Sequence, residues 1–369
     1  MRRPTPLRRL ARVEHSLPIV GLTAALIAFI VVPGMDGDSL NAGTWYNCFQ
    51  GFAPLGLVAL GLGLTLVAGE FDVSVLGMLA LGGAVAVRAG GHSGLIGVLA
   101  AVGACGFLGF VQGYAIARLR LPSLPVTIGS YIALLGLTNV IADNNILTYG
   151  NTQVSVWLSQ TVADWFSPQS LITFAAFLLA LVMIGCTRVG SQLKALGGDR
   201  RAARVSGVPV DAYVTFLFVL SASLAGLAGA LLAYSEASAE LDLGVQPLIL
   251  AVAAAVVGGV SLSGGRGVVW GVLFGSLAIA LLEQLFTVIA LSAATTQDVF
   301  GALLLVVVCA DAPDLKAKIA AVRARHERPK APVWNPARPT FDPRSESSDS
   351  DQMTVGAIRV TEPNGSDDE

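Results

Sequence analysis

Long apolar runs alternate with short polar segments over residues 17–311 of this chain. A helix that crosses the hydrocarbon core of a bilayer needs about 20 mostly apolar residues, and sometimes as few as about 17. By this measure the pattern predicts ten membrane-spanning helices, of which the third, eighth and tenth are short enough to break or to end part-way. The predicted spans are 17–32, 51–68, 73–87, 94–117, 124–142, 171–186, 212–233, 246–259, 267–289 and 298–310.

The composition agrees with a polytopic membrane protein of the all-α class. Hydrophobic residues make up 54% of the chain and charged residues only 13%, whereas about 25% is usual in soluble domains. Four scattered cysteines and three separated histidines give neither a disulfide framework, nor metal-ligand spacing, nor a catalytic triad. We therefore expect a transport subunit with no catalytic residues, no metal and no nucleic-acid partner.

The positive charges predict the orientation, because cytoplasmic loops carry the excess of Lys and Arg. Arginines cluster in the N-terminal arm and in alternate loops, and on the opposite side only Arg88 is found. Both termini are therefore predicted to lie in the cytoplasm. This divides the chain into a basic arm (1–16), a membrane domain (17–311) that includes a cytoplasmic loop (187–211), and a cytoplasmic tail (312–369) whose polar composition predicts disorder.

A first break lies between the second and third predicted spans, in "AGEFDVSVLGMLAL" at residues 68–81. A charged side chain at the bilayer centre costs about 2.5–3.5 kcal/mol, so Glu70 and Asp72 should face water or protein. Two interpretations stay open: a solvated inner turn, or a broken helix beside a translocation path. Ser74 and Asn139 are further candidates for polar contacts along such a path.

A second break, "GGVSLSGGRGVVWG" at 258–271, places Ser261 and Ser263 among glycines. It lacks the lysine of a nucleotide-binding P-loop. Glycines then recur every fourth residue at 267, 271 and 275, and such a stripe predicts close helix packing.

The central loop carries a third feature, a short helix predicted over residues 199–205. Asp199 suits the N-cap and Gly207 the end of this helix. Two interpretations of this segment stay open. Its arginines only reflect the usual excess of positive charge in cytoplasmic loops, or the helix docks into a groove of another protein. A short interfacial helix is also predicted near 154–158, in the outer loop 143–167.

These segments together resemble the permease subunit of ABC importers for simple sugars, the ribose-type branch. "AGEFDVSVLGMLAL" aligns without gaps to that family's T-G-G-I-D-L-S-V-G-S-V-L-A-L, and "GGVSLSGGRGVVWG" is similar to its G-G-T-S-L-S-G-G-R-G-T-V-x-G. "ALGGDRRAARVSGV" at 195–208 and "LPSLPVTIGS" at 121–130 match two further motifs. Glu70 and Asp199 depart from the usual glycine and asparagine.

The resemblance implies a multi-pass subunit of a bacterial cytoplasmic membrane that works as a homodimer by alternating access. It also implies cytosolic ABC ATPase subunits, which hold ATP and Mg, an extracytoplasmic sugar-binding protein, and no cofactor on this chain. The central helix then becomes the coupling helix that contacts the ATPase. Its implied coupling residues are Gly197, Gly198, Asp199, Ala202, Ala203, Arg204 and Gly207.

Several alternatives to sugar import stay open. Related permeases carry nucleosides, autoinducer-like molecules or branched-chain amino acids. An ion-coupled secondary transporter would use Glu70 and Asp72 as a proton or sodium site. A membrane scaffold would instead depend on its tail.

Overall fold

The structure is a computed structural model, and it describes residues 18–31 and 41–311 of the 369-residue chain. The predictions for the basic arm and the tail fall outside these residues. Thirteen helices and two very short strands form within the described ranges. The helices are α1 Pro18–Val31, α2 Ala42–Val67, α3 Val75–Ala89, α4 Gly94–Leu119, α5 Ser123–Ile141, α6 Thr152–Leu158, α7 Pro168–Gly185, α8 Arg188–Gly198, α9 Arg200–Val205, α10 Val210–Ser235, α11 Gln246–Val257, α12 Val269–Val288 and α13 Ala293–Asp311, and the strands are β1 Leu147–Thr148 and β2 Ser238–Ala239.

Ten of these helices are apolar, and they correspond one to one with the ten predicted spans. Helices α2, α4, α5, α7, α10 and α12 are long and apolar enough to cross a membrane, whereas α1, α3, α11 and α13 contribute shorter apolar segments. Helix α2 begins nine residues earlier than predicted, because the Asn41 side chain caps it by accepting a 2.8 Å hydrogen bond from the Thr44 N–H. The hydropathy pattern did not show this early start, because the first turns of the helix contain polar residues.

Helix α2 lies at the centre of the bundle, and the outer helices expose their apolar faces. The apolar window of α2 is 83% buried, while that of α5 is only 17% buried. A helix that is apolar all round and buried needs neighbours on every side, whereas an apolar helix with an open face suits a lipid or subunit contact.

Helix α10 approaches α3 so closely that their backbones touch. A Cβ added to Gly229 would lie 1.9 Å from the Leu79 carbonyl oxygen, and one added to Gly82 would lie 2.5 Å from the Gly226 oxygen. Small residues at such contacts let dispersion forces hold helices together where lipid removes the hydrophobic driving force.

The glycine stripe at the start of α12 packs as predicted. A Cβ on Gly271 would lie 2.2 Å from the Gly258 carbonyl oxygen, and one on Gly275 would lie 2.0 Å from the Ala254 oxygen. Helix α12 therefore lies directly against the end of α11, and the prediction of close packing is confirmed.

Two regions outside the apolar helices carry regular structure. The predicted interfacial helix is present as α6, and β1 of the same loop pairs with β2 in antiparallel fashion. The rings of Tyr149 and Tyr234 stack beside this pair with their centroids 4.2 Å apart. The central loop 187–211 contains not one helix but two, α8 and α9.

Candidate functional site

The first break, residues 68–74, leaves α2 through a tight turn and buries its two carboxylates. Gly69 adopts a φ of +77°, which favours glycine, and the Glu70 N–H donates to the Thr65 carbonyl oxygen at 2.9 Å. Glu70 is only 5% exposed and Asp72 only 1%. The interpretation of this segment as a solvated inner turn is therefore wrong.

Asp72 organises the break through a buried network that joins three helices. Its carboxylate accepts hydrogen bonds from the Ser74 N–H at 3.0 Å, the Ser221 hydroxyl at 3.0 Å and the Gln112 amide at 3.4 Å. The Ser74 hydroxyl also donates to Asp72 and accepts from Gln112 at 2.9 Å. Because Ser74, Gln112 and Ser221 come from the start of α3, from α4 and from α10, this one carboxylate fixes where α3 begins.

Glu70 connects the same break to the predicted coupling segment. The Arg200 guanidinium, at the first residue of α9, forms an ion pair with the Glu70 carboxylate. The Glu70 side chain is 6% exposed and that of Arg200 is 47% exposed. A buried carboxylate needs a cation or hydrogen-bond donors, and Arg200 is the partner of Glu70, so α9 cannot move away from the break without exposing Glu70 or leaving it without this ion pair.

Three backbone segments meet beside this ion pair in what we call the glycine junction, formed by Gly69, Gly197, Gly198, Gly264 and Gly265. The Gly265 N–H donates to the carbonyl oxygen of Val67, the last residue of α2, at 2.8 Å. A Cβ on Gly197 would lie 1.9 Å from the same oxygen, and one on Gly264 would lie 2.8 Å from the Gly69 Cα. The end of α8, the first break and the second break are thus in direct main-chain contact.

The second break, residues 258–268, is held by hydrogen bonds around Ser261. The Arg266 guanidinium donates to the Ser261 hydroxyl at 3.1 Å, and the Ser261 N–H donates to the Arg266 carbonyl oxygen at 3.2 Å. Ser261 is buried, while Ser263 is exposed at the surface of the loop. Ser261 therefore organises the loop, as Asp72 organises the first break.

Helix α9 begins and ends as the sequence predicts. The Asp199 side chain accepts from the N–H groups of Arg201 and Ala202 at 2.8 and 3.0 Å, and Gly207 follows the helix with a φ of +83°. The remaining coupling candidates divide between two faces. Ala203 is buried, Ala202 is exposed, and Arg204 forms an ion pair with Asp211 at 2.9 Å.

Asn139 is not part of this arrangement. Its amide donates to the Leu135 carbonyl oxygen of its own helix at 2.9 Å. The start of α5 touches the first break, because the Ser123 hydroxyl accepts from the Phe71 N–H. Asn139 follows sixteen residues later, which at 1.5 Å per residue places it about 24 Å along the helix.

Sequence reasoning missed one intramembrane carboxylate, Glu283 in α12. It lines a cavity between α2, α10 and α11. The sequence contains a signal that could have found it, because Glu283 is a lone ionisable residue between two mostly apolar segments, 268–282 and 285–289. Within the described ranges, no group of three or more His, Cys, Asp or Glu side chains converges as a metal site would require.

Comparison with known proteins decides the family. The family model described as "Branched-chain amino acid transport system / permease component" matches residues 46–309. The chain belongs to this family of transport permeases. The match contains both breaks, the glycine junction and α9, so the whole candidate site lies within the family's shared region.

Relatives of known function are similar over most of their length. The chain is 31% identical to the ribose import permease protein RbsC of Bacillus subtilis, with 80% of this chain and 91% of the relative covered. It is 31% identical to the L-arabinose transport system permease protein AraH of Escherichia coli, with 71% and 80% covered. The ribose import permease protein RbsC of Escherichia coli is 29% identical, with 79% and 92% covered. No solved structure matches the chain.

Proposed function

We propose that this chain is the membrane-spanning subunit of an ATP-driven importer that moves a simple sugar across the cytoplasmic membrane by alternating access. The family description names branched-chain amino acids, whereas the relatives described above are named for ribose and L-arabinose. The alignments with these relatives cover at least 80% of each relative's length, which supports a sugar rather than an amino acid as the substrate.

The observation that carries the mechanism is the glycine junction with its ion pair. Helix α9 is exposed on one side, with Val205 85% exposed, and its first residue pairs with the buried Glu70. A partner protein that binds α9 and moves it would therefore move α8, the first break and the second break together. Because packed backbones have few alternative arrangements, a small movement there favours a switch between two states over a gradual deformation.

The implied assembly contains two copies of this chain, two cytosolic ATPase subunits and an extracytoplasmic sugar-binding protein. ATP and Mg would be held by the ATPase. In this assembly both termini and α8–α9 face the cytoplasm. ATP-driven closure inside and docking of the binding protein outside would each act through different affinities for the two states.

Reconstitution tests this proposal. Vesicles that hold the permease, its ATPase and its binding protein should accumulate D-ribose or L-arabinose only when ATP is supplied. An ATPase that cannot hydrolyse ATP is the matched control. Uphill accumulation by the permease alone would overturn the ATP-driven mechanism, and accumulation of L-leucine in place of either sugar would overturn the substrate class.

A further inference from the structure

The side chain of Glu283 lies among mainly apolar side chains. It lies on α12 and lines a cavity of about 190 Å³ together with Pro54, Leu79, Leu232, Gln246 and Leu250. Across the part of the chain that the structure describes, no side chain donates a hydrogen bond to this carboxylate and no cation pairs with it. An ionisable group in a membrane span is costly, and it is retained where it serves a function.

The cavity begins near the middle of the bundle and extends away from the glycine junction. Helix α10 starts at Val210, next to the coupling segment, and Leu232 follows twenty-two residues later. At 1.5 Å per residue, this places Leu232 about 33 Å from the coupling end of α10, whereas Val58, on the inner side of the cavity, lies about 14 Å along α2 from Val67 at the glycine junction. Gln246, the first residue of α11, lines the same cavity. With α9 on the cytoplasmic side, the cavity extends from the middle of the membrane toward its outer side, where Gln246 lies.

The chemistry of the lining favours a neutral solute rich in hydroxyl groups. A carboxylate offers two acceptor oxygens, and adjacent hydroxyls of a sugar can donate to both. The leucine and proline side chains can contact the C–H faces of a sugar ring. The volume is below the 300 Å³ or so at which sites for drug-sized ligands begin, so only a small molecule fits.

An amino-acid zwitterion fits this lining less well. It would bring a carboxylate as well as an ammonium group, and a carboxylate buried without a cation to pair with is costly. None of the side chains that line the cavity is Lys, Arg or His. The cavity therefore matches a sugar better than an amino acid.

We infer that this cavity is an outward binding site for a small polyhydroxylated solute, in which Glu283 accepts hydrogen bonds from the solute's hydroxyls. The inference rests on the proposed function and adds to it a site within the permease itself. Recognition would then be shared between the permease and the binding protein.

Uptake kinetics in the reconstituted complex test the role of Glu283. Glu283→Leu should raise the KM for D-ribose about tenfold, because both acceptor oxygens are lost. Glu283→Gln should give an intermediate KM, because the amide keeps one acceptor oxygen. Gln284→Leu is the matched control, since it removes a polar group one residue along the same helix from a side chain outside the cavity lining. A wild-type KM in Glu283→Leu would overturn the inference.

Thiol protection tests occupancy without ATP or transport. Leu243 also lines the cavity, and Leu243→Cys would be made with Cys186→Ser and Cys309→Ser, which remove the two exposed native thiols. D-ribose should slow the reaction of this cysteine with an impermeant maleimide added outside, and adding Glu283→Leu should abolish the protection. No protection by D-ribose, or protection by L-leucine instead, would overturn the inference. This assay distinguishes the two proposals, because failed uptake with intact protection would contradict only the proposed function.

Discussion

Replacing Gly197 with alanine should separate the three segments of the glycine junction. The new Cβ would lie 1.9 Å from the Val67 carbonyl oxygen and 2.4 Å from the Gly265 nitrogen, and both are main-chain atoms that cannot rotate away. Ordinary contact begins at 3.4 Å, so the backbones would have to move apart by about 1.5 Å. That movement breaks the 2.8 Å hydrogen bond from the Gly265 N–H to Val67.

The expected cost follows from these two effects. Overpacking costs about 1–3 kcal/mol, and loss of one hydrogen bond costs about 0.5–1.5 kcal/mol. We therefore expect Gly197→Ala to lower the free energy of unfolding by about 2–4 kcal/mol. Gly198→Ala is the matched control, because its Cβ would meet nothing within 4 Å and both changes carry the same gain in helix propensity.

Two measurements on the purified permease and the reconstituted complex check this prediction. Chemical unfolding in detergent should rank Gly197→Ala well below Gly198→Ala. ATP-driven uptake of D-ribose should fall about tenfold or more for Gly197→Ala and clearly less for Gly198→Ala, as expected from a stability difference of this size. Equal behaviour of the two variants in both assays would refute the role given to the junction.

Three further predictions concern the ion pair, the carboxylates and the tail. Arg200→Gln should lower the free energy of unfolding by about 1–3 kcal/mol. This is less than the loss expected on breaking a fully buried ion pair, because the guanidinium is half exposed. Adding Glu70→Gln should restore most of the lost stability, because no buried charge is then left unpaired. A double-mutant cycle with no coupling between the two residues would contradict this. Glu70→Gln combined with Asp72→Asn should leave any remaining uptake strictly dependent on ATP. If ionophores abolish uptake in the wild type but not in this variant, an ion-coupled mechanism applies instead. Deletion of residues 313–369 should preserve ATP-driven uptake in vesicles, and its loss would favour the scaffold alternative.

Local features of the site could be predicted from the sequence because neighbouring residues produce them. Asp199 caps α9, and Gly207 follows its end, through contacts within a few residues of the chain. The glycine stripe before and within α12 likewise predicted close packing. The sequence could not predict which helix packs there, since any smooth face would satisfy the same stripe.

The pattern of polar and apolar residues could not predict that the first break is buried. A solvated turn and a buried break have the same sequence, and they differ only in what surrounds Glu70 and Asp72. Two of the partners of those carboxylates, Arg200 and Ser221, follow more than a hundred residues later in the chain. Glu283 was visible as a charge in an apolar run, but only the folded chain forms the cavity around it.

The sequence by itself determined the membrane class, the ten apolar helices and the capped α9, because bilayer thickness and local hydrogen bonding act on contiguous residues. The tertiary structure alone decided that three glycine segments, each separated from the next by more than sixty residues along the chain, meet at one point beside a buried ion pair. The physical reason is that such contacts depend on how helices cross and on how closely backbones without a Cβ can approach. Neither quantity is recorded in the order of polar and apolar residues.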